Sequence, residues 1–249
     1  MKHFQTQGNP KEIDLEFEKY ITKILKEEEK SLNSEAIENP ITISEIKEII
    51  KKLKQKKSPG PDLICYEIIK HSSEVMLLSL AKYFNLIFET TYYPTKWDKS
   101  FIIPIYKNGD PSDPCNYRGI SLMNSLSKIF NAVIKNRLIK KFEDFMKPNQ
   151  FGFTKNSRPS DAIFVLKTLI NKYVHNKQKI YGCFVDLRKA FDSVWRIGLF
   201  YKLIMNKNIG YNLYNIIKQM YQKTECCVKD KFDLTNYTYL KEGLNKVTV

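Results

Sequence analysis

A helix-rich α+β fold is predicted by three features of the 249-residue sequence. Apolar residues recur at helical spacing through most of the chain. Two stretches, "FIIPIY" at 101–106 and "IYGCFVDL" at 180–187, read instead as strands. No composition break or linker divides residues 44–249, so they are read as one continuous structure.

Each element follows from its own signals. Residues 11–38 are charge-rich, with Ile13, Phe17, Ile21, Ile24 and Leu25 at helical spacing, and predict a leading helix. "NPITIS" interrupts it. Ser44 is then read as the N-cap of a helix over 44–57, whose stripe is Ile46, Ile49, Ile50 and Leu53. "SPGPD" at 58–62 stops it. A strongly apolar helix is predicted over 73–92. The strand at 101–106 contains Pro104, which cannot donate to a ladder and so belongs at an edge. "KNGDPSDP" at 107–114 is turn chemistry and reads as a hairpin tip. Helices are predicted over about 121–146, 160–176, 195–207 and 211–223. The run at 180–187 has the near-continuous apolar character of a strand covered on both faces. Beyond residue 224, "ECCVKD" and "NYTYLKE" are β-prone.

The formal net charge is +14. Residues 1–57 are nearly neutral, whereas residues 58–249 carry 29 basic against 16 acidic side chains. Interleaved with 15 tyrosines and 15 phenylalanines, that excess suits a surface that neutralises phosphates and stacks bases; a lysine-rich solvated surface is the plainer reading. The five cysteines (Cys65, Cys115, Cys183, Cys226, Cys227) form no C-x-x-C pair, and the three histidines (His3, His71, His175) are scattered. A disulfide framework and a zinc site are therefore not expected, and the setting expected is intracellular, nuclear or cytoplasmic, rather than secreted. No apolar run approaches a membrane span.

Asp186 stands at the C-terminal end of the apolar run in "CFVDLRKAFDSV". A carboxylate there costs free energy unless it is paired. It could cap the following turn, pair with Arg188 or Lys189, or hold a divalent metal. Asp192 reads as an N-cap ahead of Val194 and Trp195. Five blocks in order bear on the choice: "KKLKQKKSPGPD" (51–62), "WDKSFIIPIYKNGDPSDPCNYRGISL" (97–122), "KIFNAVIKNRL" (128–138), "QFGFTKNSRPSDAI" (150–163) and "FVDLRKAFDSV" (184–194). In these blocks the chain resembles the reverse transcriptases of non-LTR (LINE-type) retrotransposons, from about residue 44 to 244.

The resemblance implies the fingers and partial palm of a right-hand polymerase, with an incomplete palm sheet. Residues 1–43 would be an N-terminal helical extension, 44–178 fingers and the start of the palm, and 179–249 a partial palm with the first catalytic motif. The implied activity is RNA-directed DNA synthesis, in which a primer hydroxyl attacks a deoxynucleoside triphosphate between two Mg²⁺ ions. The implied partners are an RNA template, a DNA primer and deoxynucleoside triphosphates, with no membrane. Asp186 and the main-chain carbonyl of Leu187 would be Mg²⁺ ligands. Phe191 would stand beneath the incoming sugar and exclude a 2′-hydroxyl, although a core role is the commoner fate of a phenylalanine. Arg118 would grip the triphosphate with its planar fork and Lys107 would add a point charge, or else be a solvated loop lysine. The lysines of 44–57 form either a solvated face or a template contact. Gln150 and Phe153 would shape the template channel, and Gly152 suggests a close backbone approach.

The family's second catalytic motif, an aromatic residue followed by Ala/Xaa-Asp-Asp, is not found: no Asp-Asp pair occurs in the sequence, and "GLNKV" at 243–247 departs from the family's Gly-x-x-Gln-Gly block. The implied enzyme is therefore expected to be truncated after its first palm motif and inactive alone. Two alternatives remain: a non-catalytic module binding RNA or an RNA–DNA hybrid, and another metal-dependent enzyme such as a nuclease.

Overall fold

The computed structural model describes residues 14–32, 38–143, 147–154, 156–187, 190–191, 193–205, 209–229 and 234–240. The chain divides into two compact units. One comprises Met1–Asn136 with Lys189–Val249, the other Arg137–Arg188.

The larger unit opens with α1 (Leu15–Ser31). Asp14 caps it, its Oδ1 accepting from the amides of Glu16 and Phe17. Helix α2 (Ile43–Lys52) starts at Thr42, not at Ser44 as expected. "TISE" is a capping box: the Glu45 amide donates to Thr42 Oγ1, and the Thr42 amide donates to Glu45 Oε2 at 2.8 Å. The reciprocal pair outcompetes a lone serine two residues later. The helix also stops at Lys52, short of the expected residue 57, because the lysine-rich run beyond it offers no apolar stripe to bury. A short helix α3 (Tyr66–Lys70) precedes α4 (Glu74–Thr90), which is capped by Ser73.

A 3₁₀ turn at Thr95–Asp98 leads into β1 (Lys99–Tyr106), which forms an antiparallel hairpin with β2 (Tyr117–Met123). Strand β3 (Thr224–Val228) adds in parallel to the other side of β1, and β4 (Thr238–Leu240) pairs antiparallel with β3. The sheet order is β2-β1-β3-β4. Strand β3 pairs with β1 only over Lys99–Ile102. Strand β1 is thus an inner strand and not the expected edge strand, but among the described residues nothing pairs with Pro104 on the β3 side, where its missing N–H is tolerated.

Helix α5 (Ser125–Phe142) follows β2, and α7 (Arg196–Met205) and α8 (Tyr211–Gln222) precede β3. The core joins α4, the 3₁₀ turn and α5 through aromatic rings. Phe84 and Phe130, both fully buried, lie 5.3 Å apart, and Trp97 stands 5.7 Å from Phe130 and 5.5 Å from Tyr93. The Phe84–Phe130 and Tyr93–Trp97 pairs are edge-on, and such packing adds about 0.5–1.5 kcal/mol per pair beyond area burial. A second cluster centres on Leu213, Tyr214 and Ile216 of α8. Glu29 of α1 reaches it, accepting from the Tyr214 hydroxyl and from Lys218 Nζ, each at 2.6 Å. Buried Arg196 ties α8 to the sheet edge, donating from Nη1 to the carbonyls of Tyr221 (2.7 Å) and Leu240 (3.0 Å).

The smaller unit contains α6 (Pro159–His175), none of whose residues is buried. The expected strand at 180–187 is not formed: these residues have no regular structure and are exposed, Phe184 at 88% and Val185 at 81%. An apolar run becomes a strand only where a ladder receives its N–H and C=O groups, and among the described residues no strand pairs with this one.

Candidate functional site

The β1–β2 hairpin gathers cations by strand register. Arg118 stands opposite Ile105, and the pairing continues one step beyond the ladder, where the Lys107 amide donates to the Asn116 carbonyl at 2.9 Å. Side chains alternate across a strand, so Ile105, Lys107 and Arg118 share one face, with the two cations diagonal to each other. All three are exposed, and among the described residues neither cation makes an ion pair. Two unpaired cations on one exposed face attract a polyanion, and the guanidinium can grip phosphate oxygens with two donors.

The opposite face of the same hairpin end carries Tyr106 and Tyr117, directly paired, with ring centroids 5.5 Å apart. Their hydroxyls turn into the tip. Tyr106 donates to the Gly109 carbonyl and Tyr117 to the Pro111 carbonyl at 2.8 Å. Within the tip, Asp110 Oδ1 accepts from the Ser112 amide, Asp113 Oδ1 from the Cys115 amide, and Asn116 Nδ2 donates to the Asp110 carbonyl. Gly109 has φ +95°, and a Cβ there would lie 2.6 Å from Asn116 Nδ2. The hydrogen bonds of Ser112 hold the Asp110 carboxyl below the usual carboxylate range.

The root of the hairpin is held by the "SPGPD" loop. Asp62 Oδ2 accepts from the Ser125 amide at 2.7 Å, at the start of α5. Its own amide donates to Asn124 Oδ1 at 2.9 Å, and Asn124 Nδ2 donates to the Lys96 carbonyl. A Cβ on Gly60 would stand 2.1 Å from the Met123 carbonyl oxygen, so glycine is what lets the loop lie against the end of β2. Burial lowers the Lys128 ammonium from its ordinary value, with the nearby Asp62 carboxylate opposing the shift.

The remaining candidates are not brought into that cluster. Asp186 and Leu187 belong to the smaller unit, in irregular chain, and Leu187 is 71% exposed. Asp186 is exposed, not at the tip of a buried strand, and among the described residues nothing hydrogen-bonds or ion-pairs with its carboxylate. Arg188, Lys189 and Asp192 lie outside the described residues, as does "GLNKV". Phe191 is half-exposed in the larger unit. Gln150 Nε2 donates to the Gly152 carbonyl, and Phe153 is exposed at φ +60°. Gly152 makes no close approach: a Cβ there would meet only Gln150 Nε2 at 3.8 Å, because its loop has no neighbouring backbone to accommodate. Among the described residues no three His, Cys, Asp or Glu side chains gather to hold a metal. Asp186 with the Leu187 carbonyl is too small a donor set for Mg²⁺, which releases its water reluctantly. Of the residues expected from sequence, Lys107 and Arg118 share this hairpin end; Tyr106, Tyr117 and Asn116, which order its tip, and Asn124, at its root, are not among those expected. The signal available was the doubled Tyr-cation dipeptide, Tyr106-Lys107 and Tyr117-Arg118, on either side of one turn.

The family described as "Reverse transcriptase (RNA-dependent DNA polymerase)" matches residues 105–245. The chain is 33% identical to the "RNA-directed DNA polymerase from mobile element jockey" of Drosophila funebris, over 85% of this chain and 23% of that protein. It is 36% identical to the "Probable RNA-directed DNA polymerase from transposon BS" of Drosophila melanogaster, over 66% of this chain and 18% of that protein. To the jockey protein of Drosophila melanogaster it is 33% identical over 74% of this chain and 20% of that protein. The chain spans about a fifth of the length of these curated relatives.

Proposed function

Because this chain belongs to the reverse transcriptase (RNA-dependent DNA polymerase) family, in its LINE-type, non-LTR branch, we propose that it is the fingers and part of the palm of a retrotransposon RNA-directed DNA polymerase. The observation that carries the reading is the β1–β2 hairpin, with Lys107 and Arg118 on one exposed face and without an ion-pair partner among the described residues. Arg118 grips the phosphates of an incoming deoxynucleoside triphosphate and Lys107 adds charge beside it. RNA template and DNA primer are the polyanions that the basic excess over 58–249 serves. Residues 1–43 form a helical extension, 44–178 fingers and the start of the palm, and 179–249 a partial palm.

Asp186 and the Leu187 carbonyl are the oxygens this chain contributes to the family's divalent-metal chemistry, and Phe191 borders the incoming sugar. Among the described residues no group of three or more His, Cys, Asp or Glu side chains forms around them, and no Asp-Asp pair exists in the sequence. The 249-residue chain is therefore inactive by itself. Its five free cysteines suit a reducing nuclear or cytoplasmic setting, and among the described residues no helix is long and apolar enough to cross a membrane.

The test is primer extension by the purified chain on an RNA template with a DNA primer, four deoxynucleoside triphosphates and Mg²⁺. No extension is expected, while binding of the hybrid persists and weakens as salt rises. Measurable extension contradicts the inactivity, and absence of hybrid binding contradicts the polymerase reading. The exposed cations equally favour a second reading, a module that holds RNA or a hybrid without chemistry; it differs in having no preference for triphosphates.

A further inference from the structure

We propose that Tyr106, Tyr117 and Asn116 are positioning residues that keep the hairpin tip preformed, so that Lys107 and Arg118 meet a triphosphate at a fixed spacing. The inference rests on the reading of this hairpin as a triphosphate grip. The two faces of the hairpin end divide the work. Tyr106 and Tyr117 lie on the face away from the cations and send their hydroxyls to carbonyls on either side of Asp110. Asn116 closes the loop from within, its carbonyl accepting from the Lys107 amide, its amide donating to the Asp113 carbonyl at 3.0 Å, and its side chain donating to the Asp110 carbonyl at 3.0 Å.

A ten-residue connection with only backbone turns samples many conformations, and ordering it on binding reduces affinity. Here the ordering is done by side chains that touch no ligand. Because the tyrosines are directly paired, they also fix the register in which Lys107 lies diagonal to Arg118. A slip of one residue would carry Lys107 to the opposite face. Tyr106 is exposed and Tyr117 is half-buried against the Ile102–Cys226 cluster, but both hydroxyls donate only to carbonyls of the exposed tip, so removing them leaves the ring packing in place.

The test compares the full chain with the double variant Tyr106→Phe/Tyr117→Phe, which keeps both rings and removes both donors, and with Arg118→Ala. The probe is fluorescently labelled deoxyadenosine triphosphate, read beside the labelled monophosphate and a short single-stranded RNA. The double variant is expected to bind the triphosphate about tenfold more weakly, the effect of losing two ordering hydrogen bonds. Its monophosphate binding, RNA binding and melting temperature stay unchanged. Hydrogen exchange at the amides of Lys107, Asp113 and Asn116 is expected to accelerate. A merely structural role would lower the melting temperature and weaken all three ligands together, and that result overturns the inference. Wild-type triphosphate binding by the double variant, with loss in Arg118→Ala, overturns the inference and leaves the triphosphate grip intact. Wild-type binding by Arg118→Ala overturns the grip and the inference with it.

Discussion

Asp98 is a carboxylate held in an environment that its type disfavours. It ends the 3₁₀ turn before β1, and one carboxyl oxygen is buried without a hydrogen-bond partner. Burial, and then the Glu225 carboxylate, push its carboxyl up to about 7, while Lys223 pulls the other way. A folded-state value above the ordinary 3.8 means that the fold favours the neutral acid. The stability this supplies is full below about pH 4 and is lost as pH rises through about 7. Asp98→Asn is therefore expected to be more stable than the parent by about 1–2 kcal/mol at pH 8, after allowing for partial solvent screening, and equal to it near pH 4. Urea melts at the two pH values measure this; an equal difference at both contradicts the assignment. Asp186 is the contrasting case. It stands exposed, so the fold gives it no structural duty, and its meaning comes from the motif around it.

At the scale of elements, the hairpin is held at its root by contacts that local sequence rules do not disclose. Asp62 was legible as part of a turn that stops a helix. Its role as acceptor for the first amide of α5, 63 residues away, became visible only with the fold. Asp62→Ala removes that acceptor and the packing of the "SPGPD" loop on Asn124. The expected cost is about 1–2 kcal/mol, and Asp62→Asn retains most of the lost stability, because an amide oxygen can still accept. Chemical denaturation of the two variants decides it, and equal losses would deny the cap. Helices α1, α4, α7 and α8 were legible because each carries its own apolar residues at helical spacing. The end of α2 is not legible, because lysines have good helix propensity but nothing to bury. The run at 180–187 was misjudged for a deeper reason: strand formation depends on a partner elsewhere in the sequence, and apolar character alone does not supply one.

Across the whole molecule, the candidate site was legible in kind and not in support. The charge excess and the turn chemistry are local, and it is through the resemblance of the surrounding blocks to the family that Lys107 and Arg118 could be read as candidates from sequence. The parallel pairing of β1 with β3 joins residues more than a hundred positions apart and could not. Phosphate recognition by one exposed hairpin face is the central proposal, and the most direct measurement is photocrosslinking of an azido-substituted deoxyadenosine triphosphate to the intact chain, mapped by mass spectrometry. Crosslinks competed by inorganic triphosphate are expected in the peptides spanning residues 103–120, and to fall at least about fivefold in Arg118→Ala, as loss of a charged hydrogen-bonding partner requires. Competed crosslinks that fall elsewhere in the chain, and survive Arg118→Ala, contradict it.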